Sequence, residues 1–213
     1  MNLANYIDHT ILKPEATIAE IEKLCAEAAK FHFAAVCVNP AYVKKAAELL
    51  AESGVGIATV VGFPLGANTT ETKTAETRDA IKNGATEIDM VMSIGLFKSG
   101  LFDEVKKDIV AVVDASAGLP VKVILETCLL TNNEISKACK ISVEAGAAYV
   151  KTSTGFSSGG ASVEAVLAMK AAVGDSCKIK ASGGIRSRSD ALAMIEAGAV
   201  RIGTSSGVAI VSG

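Results

Sequence analysis

Four charged residues stand in runs where apolar side chains belong. Asp89 lies in Glu-Ile-Asp-Met-Val-Met, Lys122 in Val-Lys-Val-Ile-Leu-Glu, Lys151 in Ala-Tyr-Val-Lys-Thr-Ser and Lys180 in Lys-Ile-Lys-Ala-Ser. Each run is short, β-rich and suited to a buried strand. Successive strand side chains face opposite ways. A charge turned toward a helix layer would sit unpaired among apolar groups, at a cost of several kcal/mol. The tolerable direction is the interior of a closed sheet, near its open mouth. Three ammonium groups and one carboxylate then share one small volume. A single Lys–Asp pair could be purely structural, each charge satisfying the other. Three lysines against one aspartate cannot be, although Glu126 could narrow the gap. Crowded ammonium groups repel, so at least one lysine is expected to have a lowered pKa and to be a neutral amine near pH 7. A neutral amine attacks carbonyls, and a neighbouring cation is one way to make it. The implied chemistry is imine formation followed by proton transfer at the adjacent carbon. Spacing leaves open which lysine attacks.

Two glycine-bearing turns follow late strand-like runs. After Lys180 comes Ser182-Gly183-Gly184-Ile185-Arg186, and after Arg201-Ile202 comes Gly203-Thr204-Ser205-Ser206. Bare glycine amides and hydroxyls at helix N-termini suit a phosphate dianion. One such turn is ordinary punctuation, but two on consecutive units point to phosphate, with Gly155 of the Thr152–Gly155 stretch as a further contributor. Arg186 reads equally as a surface charge or a phosphate ligand. Cys37, in the apolar run Ala34–Val38, reads as core packing, and His9 beside Asp8 as a structural hydrogen-bonding residue.

The elements that must position these groups recur with a period. Gly54, Gly84, Gly118, Gly146, Gly174 and Gly198 each end a helix-like stretch, 24 to 34 residues apart. Strands are expected at Ala34–Val38, Gly56–Val61, Glu87–Met92, Val121–Glu126, Ala148–Thr152, Cys177–Ala181 and Val200–Gly203, with a short one near Tyr6–Leu12. Between them lie amphipathic stretches, two of which open on capping boxes, Thr17–Glu20 and Thr131–Glu134. Strand alternating with helix means parallel βα units, and eight strands favour a closed (β/α)8 TIM barrel forming a single catalytic domain over residues 1–213. An open doubly wound sheet is disfavoured because no Gly-x-Gly-x-x-Gly turn follows the early strands.

Composition narrows the function classes. Of 213 residues, 50% are hydrophobic but only 4% aromatic, which implies a core of Ala, Val, Ile and Leu. A formal net charge of −2 argues against nucleic-acid binding. Mean hydropathy is +0.39, yet no apolar run approaches the ~18 residues that a spanning helix needs. A soluble cytoplasmic protein without membrane or nucleic-acid partners is expected. Cys25, Cys37, Cys128, Cys139 and Cys177 are far apart in sequence and read as reduced thiols. Two histidines cannot furnish a zinc cluster, whereas the plentiful carboxylates leave an oxygen-ligand Mg²⁺ site open in principle.

The same residues resemble a known family. Ala148–Phe156, which contains Lys151, closely resembles the active-site lysine motif of deoxyribose-phosphate aldolases, as do Lys178–Arg186 and Glu87–Met92. Further similar stretches are Ile7–Thr10, Ala35–Val38, Gly62–Gly66 and Val121–Thr127, in family order over nearly the whole chain. The resemblance implies a (β/α)8 barrel that reversibly cleaves 2-deoxy-D-ribose 5-phosphate to acetaldehyde and D-glyceraldehyde 3-phosphate without metal or cofactor. It implies that Lys151 forms the imine, that Lys180 depresses its pKa and helps move protons, and that Asp89 serves in proton relay. Asp8, Thr10, Cys37, Lys122 and Thr152 would line the substrate. Gly155, Gly183, Gly184, Gly203, Ser205 and Ser206 would hold the phosphate. Some family members carry a longer C-terminal tail with a tyrosine that assists proton transfer; this chain ends Val208-Ala209-Ile210-Val211-Ser212-Gly213. Either that helper is dispensable or water and Asp89 cover the step. Two other readings share part of the pattern: another lysine-imine aldolase barrel, and a non-catalytic sugar-phosphate binding barrel. The sequence leaves the number of subunits open, homo-oligomer included.

Overall fold

The computed structural model describes residues 1–213. Eight strands, β1 (Ile7–Ile11), β2 (Ala35–Val38), β3 (Gly56–Val61), β4 (Glu87–Val91), β5 (Val121–Ile124), β6 (Tyr149–Lys151), β7 (Lys178–Ser182) and β8 (Arg201–Thr204), pair in parallel in chain order. The pairing of β8 with β1, Asp8 opposite Gly203, closes the barrel. Around it run α1 (Ile18–Phe31), α2 (Val43–Leu50), α3 (Thr70–Lys82), α4 (Ile94–Lys98), α5 (Phe102–Ala115), α6 (Asn132–Glu144), α7 (Val163–Val173), α8 (Arg188–Glu196) and α9 (Gly207–Ser212). The fold is a (β/α)8 TIM barrel.

Two apolar clusters separate the strand faces. The large one lies between barrel and helices and contains Val36, Val38, Ile88, Met90, Val150, Ile179 and Ile202 from the outward faces. The small one is Leu12, Cys37, Ala58 and Val60, inside the barrel on the side of β2 and β3, with Phe63 packed against it. The expected strands are found within one or two residues of their ends. The expected Val121–Glu126 run stops at Ile124 because Glu126 takes a left-handed conformation, φ 56°, and starts a short 3-10 turn.

Both expected capping boxes form, Thr17 with Glu20 and Thr131 with Glu134. A third, Ser187 with Asp190, opens α8. The Asp190 carboxylate thereby accepts from the amides of Arg186 (3.1 Å) and Ser187 (3.0 Å). These two amides, at and just before the N-cap of α8, are occupied, which leaves the preceding glycine turn as the anion-facing part of this junction.

One buried ion pair lies outside the barrel interior. Lys73 of α3 is fully buried and donates to Asp108 Oδ2 of α5 (2.6 Å) and to Ser93 Oγ (3.1 Å), while Thr70 donates to Asp108 Oδ1 (2.8 Å). Ser93 in turn donates to the Gly66 carbonyl (3.2 Å), so the network anchors the loop Gly62–Gly66 that carries Phe63. A lysine on an α-helix gives no sequence sign of such burial.

Candidate active site

Alternation along the strands turns Asp8, Glu87, Asp89, Lys122, Tyr149, Lys151, Lys180 and Arg201 into the barrel, opposite in sense to the apolar outward set. Register then makes neighbours of them: Asp89 stands beside Lys122, Lys151 beside Lys180, and Lys180 beside Arg201. Asp89 is the hub. Its Oδ1 accepts from Lys122 (2.7 Å), and its Oδ2 accepts from both Lys151 (2.8 Å) and Lys180 (2.7 Å). Lys180 also donates to Asp8 Oδ2 (2.5 Å), and Lys122 pairs with Glu87 Oε2 (2.5 Å). Arg201 completes the ring from below, donating to Asp8 Oδ1 (2.6 Å) and Glu87 Oε1 (3.2 Å), with its guanidinium 5.9 Å from the Tyr149 ring.

The charge ledger differs from the one expected. Glu126 is not in it: its left-handed backbone turns the carboxylate to the Thr154 amide and hydroxyl. Asp8 and Glu87 take its place, and Arg201 adds a fourth cation. Three carboxylates (Asp8, Glu87, Asp89) face four bases (Lys122, Lys151, Lys180, Arg201), so the cluster is neutral when one base has lost its proton.

Among these lysines Lys151 is the one whose pKa is lowered. Burial pushes its ammonium below the usual lysine range; Asp89 opposes this and Lys180 adds to it. Burial would also lower Lys180 and Lys122, but Asp8 and Asp89 raise the first and Asp89 the second, leaving both above the ordinary value. Burial would raise Asp89, yet Lys122, Lys151 and Lys180 hold it well below the carboxylate range, and Asp8 is likewise lowered by Lys180, Lys122 and Arg201. Dehydration is thus the first cause of the depressed lysine, and the Lys180 ammonium a secondary one.

Lys151 is also the lysine that meets open space. A cavity of about 610 Å³ at the C-terminal mouth is lined by Lys151, Thr10, Thr154 and the glycine turns. Gly155, Gly183, Gly184, Gly203 and Ser205 all border it, as does the exposed Arg186. Gly183 and Gly184 have consecutive positive φ values, 87° and 81°, a conformation that turns backbone amides to one side and that L side chains resist. At Gly203 a Cβ would come within 3.1 Å of Lys180 Cε and 2.9 Å of Ser182 Cβ, so only glycine lets Lys180 lie across β8.

A profile of the DeoC/LacD family aldolases matches residues 3–213. The chain belongs to this aldolase family. A deoxyribose-phosphate aldolase of Brevibacillus brevis is 62% identical over all of this chain and 96% of its own length. One from Staphylococcus carnosus is 59% identical, over all of this chain and 97% of its own. The crystal structure of the deoxyribose phosphate aldolase from Aeropyrum pernix, described as a unique tetramer, superposes with a TM-score of 0.93 at 37% identity, covering 99% of this chain and 89% of that one.

Not every residue expected at the site of this aldolase meets the cavity. Asp8, Asp89, Lys122 and Lys180 are fully buried beneath Lys151. Cys37 is fully buried in the apolar quarter, where burial raises its thiol pKa. Thr152 is buried, and its hydroxyl donates to the Ser182 carbonyl (3.1 Å) and accepts from the Ser182 amide (3.0 Å). Ser206 is not among the residues that line the cavity, and its amide donates to Thr204 Oγ1 (2.9 Å). His9 pairs with Glu27 (2.7 Å) and packs edge-on against Phe33. Glu87 and Arg201 escaped the reading of the sequence, although a signal existed. Each stands two residues from a position already singled out, Asp89 and Gly203, and period-two alternation turns both inward.

Proposed function

We infer that this aldolase reversibly cleaves 2-deoxy-D-ribose 5-phosphate to acetaldehyde and D-glyceraldehyde 3-phosphate through an imine on Lys151. The observation that carries the reading is that, of three interior lysines, the one bordering the cavity is also the one held below its usual pKa. The neutral amine adds to the C1 aldehyde, and loss of water gives the iminium. A base takes the proton of the C3 hydroxyl, the C2–C3 bond breaks, and its electrons pass into the iminium to leave an enamine. Glyceraldehyde 3-phosphate departs. Protonation of the enamine carbon and hydrolysis of the imine then release acetaldehyde and the free amine.

Asp89, ionised and within hydrogen-bond distance of both Lys151 and Lys180, is placed to pass protons between them and water. Lys180, held as an ammonium by two carboxylates, supplies positive charge beside the developing carbinolamine oxygen. Asp8 and Lys122 hold the hub from beneath. The iminium is the electron sink that a metal ion would otherwise provide. Borohydride reduction with acetaldehyde in EDTA should therefore leave one reduced adduct, mapped to Lys151 in a digest. An adduct on Lys122 or Lys180, or dependence on an added divalent ion, would refute the assignment.

The phosphate of the substrate is assigned to the amides and hydroxyl of Gly155, Gly183, Gly184, Gly203 and Ser205, supported by their common cavity with Lys151. No side-chain cation is pinned among them, so binding is spread over several backbone donors. Ser205→Asp sets a carboxylate against the dianion, a repulsion of roughly 1–4 kcal/mol at 4 Å between water-like and surface-like dielectrics. KM for the phosphorylated sugar should rise tenfold or more, while that for 2-deoxyribose moves little. Equal rises for both sugars would place the phosphate elsewhere.

The tetramer of the Aeropyrum pernix relative supports assembly of this chain into a homo-oligomer. No helix is long and apolar enough to cross a membrane. The five cysteines are unpaired, four of them buried, which supports a reducing, cytoplasmic setting.

A further inference from the structure

We propose that Arg201 is a positioning residue for the imine chemistry: by bridging Asp8 and Glu87 beneath the lysines it occupies the carboxylate capacity that would otherwise hold a proton on Lys151. The proposal rests on the Lys151 imine reading and adds to it the source of the amine's freedom.

The argument is a count made on geometry. Every group facing Lys151 can be named by strand: Asp8 from β1, Cys37 from β2, Glu87 and Asp89 from β4, Lys122 from β5, Tyr149 on its own β6, Lys180 from β7 and Arg201 from β8. β3 contributes none; Ala58 and Val60 fill its inward positions. Three carboxylates balance three cations, and Lys151 is the fourth base. Arg201 is the natural third cation because guanidinium does not deprotonate in proteins and its planar fork reaches two carboxylates at once. It does so here, with Asp8 at 2.6 Å and Glu87 at 3.2 Å. Its side chain is only 13% exposed, and its guanidinium carbon lies 5.9 Å from the centre of the Tyr149 ring.

The influence passes through the hub. With Arg201 in place, Asp8 and Glu87 divide themselves between it and the two inner lysines, so Lys180 and Lys122 both lean on Asp89 as well. Asp89 then serves three donors, and Lys151 shares its Oδ2 with Lys180. Without Arg201, Asp8 and Glu87 would turn wholly to Lys180 and Lys122. Asp89 would be released to bind Lys151 as an ammonium, which is not a nucleophile. A purely structural ion bridge makes no prediction of this kind.

The test is the pH dependence of borohydride trapping with acetaldehyde, the adduct mapped by digest. Wild-type adduct anywhere but on Lys151 would defeat the imine reading itself, and so separates that failure from this one. With the adduct on Lys151, Arg201→Met should move the trapping midpoint upward, lowering trapping at pH 7 on the order of tenfold per pH unit of displacement. Arg201→Lys should restore it in large part. Glu87→Gln, which removes a carboxylate instead, should move the midpoint downward, and the double variant should return near the wild-type value. Opposite displacements from two residues in contact cannot arise from a common loss of structure. An unmoved midpoint in Arg201→Met, or a shift of both single variants in the same direction, overturns the proposal. If Arg201→Met fails to fold, Glu87→Gln decides: a downward displacement sustains the proposal, and an unchanged midpoint ends it.

Discussion

Lys151→Ala is expected to reduce cleavage of 2-deoxyribose 5-phosphate to background, a fall on the order of 10⁵–10⁶ as for other lost covalent nucleophiles, and to abolish borohydride trapping. The fold should survive. Asp89 keeps Lys122 and Lys180 as donors when Lys151 is gone, so no carboxylate is orphaned. The charge balance also holds, because three carboxylates still face three cations. The truncated side chain borders open space, so water can fill what it leaves. Circular dichroism and a melting temperature within a few degrees of wild type should accompany the loss of turnover. Lys180→Met makes the informative contrast. Lys180 is fully buried between Asp8 and Asp89, and its removal unpairs part of both. That variant should lose stability as well as rate, by about 3–5 kcal/mol for a buried partner removed. Residual trapping on Lys151 with a lowered melting temperature would fit these roles. A second trapped lysine in Lys151→Ala would show that the barrel holds an alternative nucleophile and that position, not pKa, selects between them.

The barrel was legible in the sequence because its signal is periodic. Glycine-ended helices and short β-rich runs recur at a near-constant spacing, and parallel strands buried on both faces admit few polar residues. The exceptions, Asp89, Lys122, Lys151 and Lys180, therefore stand out, and all four converge. What the sequence concealed was which opposite charges they meet. Glu87 and Arg201 each begin a strand, where charged residues are unremarkable, and Asp8 stands one residue inside the short β1. Glu126 looked available by its place after β5, but a left-handed backbone sent it to Thr154. Backbone handedness at a non-glycine residue is set by tertiary contacts that no local pattern announces. The Lys73–Asp108 pair was invisible for a similar reason: helix periodicity marks a face, and a lysine on that face reads as solvated until a partner helix supplies the carboxylate. The origin of the depressed lysine also changed. Crowding among ammonium groups suggested repulsion as the cause. In the folded barrel each ammonium has carboxylates against it, and dehydration of Lys151 comes first. A lysine lowered chiefly by burial stays reactive when one cationic neighbour is lost, which is why Lys180→Met should retain some trapping.

Asp89→Asn should separate the two halves of the chemistry. The carboxylate accepts from three lysines at once, and its replacement leaves two carboxylates, Asp8 and Glu87, against four bases. Lys151 loses the charge that favoured its proton, so its amine is freer than before. Trapping with acetaldehyde should persist and extend to lower pH. Turnover should nonetheless fall by ~10²–10⁴, the usual effect of losing a positioned acid–base group, because protons no longer pass between Lys180, water and the imine. The stability change carries its own sign. The surrounding lysines hold Asp89 well below the ordinary carboxylate range, so its contribution is complete above that range and is lost as pH falls through the folded-state pKa. The wild-type protein should keep this contribution to pH values under the ordinary carboxylate range. The Asn variant should lack it and be about 3–5 kcal/mol less stable at neutral pH. Its stability should recover partly as the pH rises and a second ammonium sheds its proton. Stopped-flow imine formation, steady-state cleavage and urea unfolding at pH 4, 7 and 9 would measure the three effects separately. If imine formation falls in step with cleavage in a variant that remains folded, Asp89 acts on the nucleophile rather than on the proton transfers that follow, and the assignment of the relay to Asp89 fails.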